Sequence, residues 1–171
     1  NRIGGIMITI DGGTGAVLHN GTSINSGNVI QVVNTLKTDA FTTTNTSHDS
    51  TPKGVAVTGF TASITPTSAT SKILVRATFG MTNTNSGYYT YAFLYRDSTF
   101  LGGTTTNSQA GGLGLQSHSI ERLDTPNTTS SITYSIRMAC EGNTGKIGEG
   151  AGGTEDDRVD DSTLTLMEIA A

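Results

Sequence analysis

Two stretches of this chain alternate apolar and polar residues without a break. From Ile73 to Met81, the residues Ile73, Val75, Ala77, Phe79 and Met81 fall on one side, with Lys72, Arg76 and Thr78 on the other. From Ile132 onward, Ile132, Tyr134, Ile136, Met138 and Cys140 repeat the pattern against Thr133, Ser135, Arg137 and Glu141. A period of two is that of a strand with one face in a core. Shorter or less regular runs predict further strands at 29–33, at 38–44, within 55–64, at 88–96 after a turn at 83–87, at 99–101, within 115–123 and at 162–170. Segments 45–54, 66–71, 102–114, 124–130 and 142–161 are polar or glycine-rich and read as connecting loops. Apolar residues never recur at helical spacing. Eight to ten short strands without a helix predict an all-β antiparallel jelly-roll sandwich.

Two segments depart from simple alternation. In the last strand, Leu164 and Leu166 lie on one face while Met167 and Ile169 lie on the other. A strand apolar on both faces is buried on both, either centrally or against another subunit. The first 26 residues also differ from the rest. Ile6, Ile8 and Ile10 alternate with Met7 and Thr9, residues 11–13 break the run, and Ala16, Val17 and Leu18 follow. This reads as an N-terminal arm or hairpin at 1–26 ahead of a jelly-roll domain at 27–171, or as the domain's own first strands.

Composition supports strands over helices. The 171 residues include 31 Thr, 16 Ser and 22 Gly, with 34% hydrophobic and 14% charged. Threonine is β-branched and suits a pleated surface, and serine and glycine suit turns. A net charge of −4 without a Lys/Arg cluster argues against nucleic acid as a partner. No run reaches the roughly 18 apolar residues of a membrane-spanning helix. The single cysteine, Cys140, excludes an intrachain disulfide, and its place on an apolar face reads as a buried, inert thiol.

Candidate chemistry is sparse. His19, His48 and His118 sit in separate polar segments outside any metal-ligand spacing and read as surface residues. The glycine-rich segments 11–15, 111–114 and 148–153 lack the following helix that a phosphate cradle needs. Glu155, Asp156, Asp157, Asp160 and Asp161 read as a solvated loop, without the spacing of a calcium loop. Glu121 with Asp124, and Glu141 with Glu149, do not single out the carboxylate pair that a glycan-cleaving enzyme requires. No catalytic, cofactor or metal site is therefore expected. Tyr88, Tyr89, Tyr91 and Tyr95 share one strand; Tyr89, Tyr91, Phe93 and Tyr95 share a face, read as a core or subunit-interface stripe. Tyr88 and Tyr89 at the strand's mouth, with Asn107 and Gln109 in the polar loop, are the ligand-contact candidates, since tyrosine offers both an apolar face and a hydroxyl to a sugar.

Several segments resemble a domain of tail-fibre and related surface proteins of marine, cyanophage-type bacteriophages. They are 27–33 with Lys37 to Phe41, Val57 to Phe60 with Ser63 to Pro66, Ser71 to Val75, Phe93 to Asp97, Leu123 to Pro126 with Tyr134, and Ser162 to Ile169. The match covers about five-sixths of the chain in the family's order, and consists of strand and turn patterns. That family is similar to the trimeric jelly-roll heads of the C1q and tumour-necrosis-factor type. The resemblance implies a homotrimer on a virion surface, in a tail fibre with host-receptor attachment, its variable loops at 45–54, 102–114 and 142–161. Complete fibres carry a long anchor and shaft, whereas about 26 residues precede the domain here. A fibre fragment, a short tail protein and a capsid decoration protein anchored through residues 1–26 all fit. The partners expected are other copies of the chain, other virion proteins and a host surface glycan, without nucleic acid or membrane insertion.

Overall fold

A computed structural model describes residues 27–107, 114–150 and 160–171, together with three short strands before them. Those three are β1 (Ile8–Ile10), β2 (Val17–His19) and β3 (Thr22–Ser23), paired antiparallel as one small sheet. The strands that follow are β4 (Val29–Lys37), β5 (Phe41–Thr43), β6 (Val55–Ile64), β7 (Lys72–Asn83) and β8 (Tyr89–Arg96). Then come β9 (Thr99–Asn107), β10 (Gln116–Asp124), β11 (Ile132–Cys140), β12 (Gly145–Ile147) and β13 (Ser162–Ile169). The described residues contain no helix.

The long strands make two sheets. In one, β7 pairs with β10 along one edge and with β13 along the other, and β13 pairs in turn with β4. The short β12 continues β13's side of β7 at residues 81–83 and carries β5 beyond it. The second sheet runs β6, β11, β8, β9. Numbering the eight long strands in chain order, the first sheet reads first, eighth, third, sixth, and the second reads second, seventh, fourth, fifth. That interleaving of two Greek keys is the jelly roll.

Alternation decides which face turns inward. Ile73, Val75, Ala77, Phe79 and Met81 of β7 are buried against Ile132, Tyr134, Ile136 and Met138 of β11, as their spacing predicts. Phe60 and Phe79 meet edge-to-face across the two sheets at 5.9 Å. Near one end, Tyr134 Oη donates to Asp124 (2.7 Å), whose carboxylate also takes a 2.7 Å ion pair from Arg96, tying β11, β10 and β8 together. At the β4–β6 margin, Thr35 Oγ1 donates to the Thr61 carbonyl and Gln31 Nε2 to the Thr65 carbonyl, linking the sheets there.

Several element boundaries differ from those expected. Strand β6 is one strand with a bulge, because Gly59 at a φ of 75° inserts extra residues and puts Val57 and Phe60, three apart, both inside. Strand β5 keeps only Phe41–Thr43 of the expected 38–44. Segment 102–107, expected as loop, continues β9. Gly103 and Thr105 lie opposite Phe93 and Tyr91, although glycine and threonine give no apolar alternation to read. Strand β12 likewise sits inside the expected loop 142–161.

The candidate functional site

The second sheet's outer face carries two of the three exposed aromatic residues, Tyr89 and Phe100. On β8, Thr90, Ala92 and Leu94 face the core and are fully buried. Tyr89, Tyr91, Phe93 and Tyr95 therefore point the other way. By parity the stripe lies outside the central core, but Phe93 and Tyr95 are buried with Ala139 in a second, smaller cluster, with Tyr91 packed against it.

Half of this face is roofed by segment 45–54. Arg137 Nε donates to the Lys53 carbonyl (2.9 Å) and its Nη2 to the Gly54 carbonyl (2.6 Å). The Lys53 amide donates to Tyr95 Oη (2.8 Å), and the Arg137 guanidinium lies 5.3 Å from the centre of the Tyr95 ring. Tyr95 is 3% exposed as a result. His48 stacks on Tyr91 with ring centres 4.8 Å apart and planes 6° from parallel. Its Nδ1 is buried and lacks a hydrogen-bond partner among the described residues. His48 is thus not the surface histidine expected. Burial, and then the nearby Glu141 and Asp49 charges, push the Tyr91 phenol above its ordinary pKa.

Over the other half lies the Lys53 ammonium, 5.8 Å from the centre of the Phe93 ring and 5.9 Å from that of Phe100. Strand β9 is the edge of this sheet, and its rungs place Asn107 opposite Tyr89, Thr105 opposite Tyr91, Gly103 opposite Phe93 and Phe100 opposite Tyr95. Phe100 is 45% exposed. Its ring stands 71° from that of Phe93 at 6.1 Å, while Tyr91 lies 6° from parallel with Phe93 at 6.2 Å. Phe93 is buried and Tyr91 carries His48 on its ring, so Phe100 supplies most of the exposed aromatic surface of this corner. A shallow pocket of about 260 Å³ lies in this corner, lined by Tyr91, Phe93, Phe100, Gly103, Thr104 and Thr105. Gly103 keeps it open: a Cβ there would lie 3.0 Å from the Phe93 ring and 2.7 Å from the Ala92 carbonyl oxygen.

The candidates named from sequence are partly gathered here. Tyr89 and Asn107 share the outermost rung. Tyr88, half exposed, lies instead beside Gly142, and Gln109 falls outside the described residues. Phe100 and Gly103 were missed. The signal that locates them is the pairing of β9 with β8, which alternation alone does not reveal.

Other polar groups hold the fold together. Glu168 is buried on the inner side of β13, where Gln31 Nε2 (2.7 Å), the Thr67 amide and the Thr67 hydroxyl (both 2.8 Å) donate to it. Burial pushes its pKa up, but these hydrogen bonds and one from Ser71 outweigh it and hold the carboxyl below its ordinary range. Cys140 is buried, its sulfur close to the carbonyls of Thr43, Asn45 and Asn143. Glu121 and Asp124 project from opposite faces of β10, and Glu149 pairs with Lys146 at 3.3 Å. His118, expected at the surface, is half-buried; its Nδ1 lies 3.4 Å from the Thr104 hydroxyl and its ring 6.3 Å from that of Phe79. Asp160 and Asp161 are described, whereas Glu155, Asp156, Asp157, His19's side chain and the glycine segments 11–15 and 111–113 lie outside the described residues.

The first sheet's outer face is of another kind. Register places Val32, Met167, Leu74 and Leu123 side by side across β4, β13, β7 and β10. Val32 is 58% and Leu123 52% exposed, and Ile30 and Leu36 on β4 are also exposed. The last strand is therefore central in its sheet, with Leu164 and Leu166 in the core and Met167 on an apolar outer row.

No protein-family model matches the chain, and no curated protein matches it. Among solved structures it is similar to the VP2 subviral particle of infectious bursal disease virus, with 15% identity and a TM-score of 0.44 over 99% of this chain and 43% of that one. It is also similar to structures of the Gt strain of that virus (18%, TM-score 0.41, 99% and 44% covered) and of the Gx strain (16%, 0.41, 99% and 43%). The chain spans less than half the length of these structures.

Proposed function

We propose that the chain is a non-enzymatic structural subunit of a bacteriophage virion surface, a tail-fibre or appendage protein that assembles as a homotrimer and attaches to the host. The jelly roll is an architecture of viral capsid and lectin domains, which suits both duties. The tail-fibre resemblance of the segments quoted above points the same way.

The observation that carries the assembly is the row Val32, Met167, Leu74 and Leu123. Single exposed apolar side chains are ordinary, but Val32 and Leu123, exposed at the two ends of a row that the half-buried Met167 and Leu74 complete, and flanked by the exposed Ile30 and Leu36, form a contiguous patch of the kind that marks a protein contact. Removing each such side chain from water contributes about 1.5–3 kcal/mol. Closed rotational symmetry would repeat that gain at every contact around the ring.

Sedimentation equilibrium of the full chain tests this. The expected mass is three times 17.7 kDa. Val32→Glu combined with Leu123→Glu is expected to return it to one chain's mass while the β-sheet circular dichroism persists. A wild-type chain that stays monomeric at every concentration contradicts the proposal.

A further inference from the structure

We infer that the corner formed by Tyr91, Phe93 and Phe100 beside Gly103 is a binding site for one pyranose ring of a surface glycan. This deepens the attachment role proposed above and rests on it.

The geometry selects the ligand class. A pyranose is a flat disc with C–H groups on its faces and hydroxyls around its rim. It needs an aromatic plane to lie on and polar groups at that plane's edge. Here Phe100, the exposed ring, supplies that plane, 71° from the buried Phe93 ring and with Tyr91 beside it. The pocket of about 260 Å³ is far too small for a helix or a protein face, and its lining residues are uncharged, with the Lys53 ammonium nearby over Phe93 and Phe100 as a further donor.

The polar rim is also present. Thr105 is exposed; its hydroxyl donates to the Thr90 carbonyl (3.1 Å) and keeps lone pairs for a sugar hydroxyl. Asn107, two residues on, adds an amide beside Tyr89. Among the described residues β9 pairs with no strand but β8, which leaves backbone groups along its other edge outside any ladder, although the Asn107 carbonyl accepts from Gln116 Nε2. The missing side chain at Gly103 leaves room beside Phe93.

Saturation-transfer NMR on the full chain, with methyl β-D-galactopyranoside, methyl β-D-glucopyranoside and methyl α-D-mannopyranoside as probes, tests the inference. Transfer from the aromatic protons is expected to concentrate on the ring C–H protons of one sugar face for at least one probe. Phe100→Ala is expected to weaken that binding at least tenfold, Phe100→Tyr to retain it, and Leu123→Ala on the opposite sheet to leave it unchanged. Circular dichroism confirms that each variant is folded. Absence of transfer to all three sugars overturns the inference, as does transfer that survives Phe100→Ala. A folded Phe100→Ala chain whose sedimentation mass falls overturns it too, because the corner is then a contact between copies. Sugar binding and trimer mass are read separately: a trimer that binds no sugar defeats this inference alone, and a sugar-binding monomer defeats the assembly proposal alone.

Discussion

Glu168 illustrates how single residues set this protein's response to acid. Its carboxylate accepts from Gln31 and Thr67, holding the 65–71 connection and β4 against the end of β13. Because its folded pKa lies below the ordinary value, it adds stability that is fully present above the unfolded value of about 4.3 and lost as pH falls through the folded one. His118 acts in the same direction at higher pH. Burial lowers its pKa, so the unfolded chain takes up a proton first and stability begins to fall below about pH 6.5. Urea denaturation at fixed protein concentration is expected to show two acid-side losses. His118→Asn should remove the upper one. Glu168→Gln should remove the lower one and cost about 1–3 kcal/mol at neutral pH, since donors lose a charged acceptor. Neither role was legible in the sequence. Glu168 looks like a polar intrusion into Leu164–Ile169 until Thr67 and Gln31, 101 and 137 positions away, are known, and His118 looks like a surface residue until Thr104 and Phe79 are placed beside it.

At the scale of elements, strands rich in apolar residues were legible, whether alternating or apolar on both faces, and strands built mainly of glycine and threonine were not. Strands β7 and β11 declare themselves by alternation. Strand β9 hides, because Gly102, Gly103 and three threonines carry no such contrast, and its existence depends on pairing with β8. Segment 45–54 was legible as a loop, but its place over Tyr95 and Tyr91 was not. Gly54 fixes that place: its φ is 62°, and a Cβ would sit 2.5 Å from the Met138 carbonyl oxygen. Gly54→Ala is expected to cost more than about 1 kcal/mol and to release the segment from β11. Limited proteolysis with mass spectrometry should then show cleavage within 45–54 at least severalfold faster than in wild type, with the sandwich strands still protected. Unchanged cleavage there would mean that Gly54 does not hold the roof down.

The whole molecule has two unlike outer faces around one core. The first sheet offers an apolar row suited to other copies of the chain, and the second offers an aromatic corner suited to a small ligand. The sequence carried part of this: a last strand apolar on both sides pointed to assembly, and the tyrosine cluster of β8 pointed to the sheet that holds the corner. It did not show that Val32, Leu74, Met167 and Leu123 come into one row. Residues 32 and 167 meet only when the first and last long strands of the jelly roll pair. Charge placed in that row is expected to separate the subunits, whereas charge placed at Ser63 or Thr133 on the second sheet should not.

The most direct test of the central claim is cryo-electron microscopy of intact virions from the source of this chain. The account predicts three-fold symmetric jelly-roll density on the tail or its appendages, with the row of Val32 and Leu123 turned toward the three-fold axis and the Phe100 corner turned outward. Density on capsid facets would replace attachment with decoration. Absence of the chain from the particle would contradict the account.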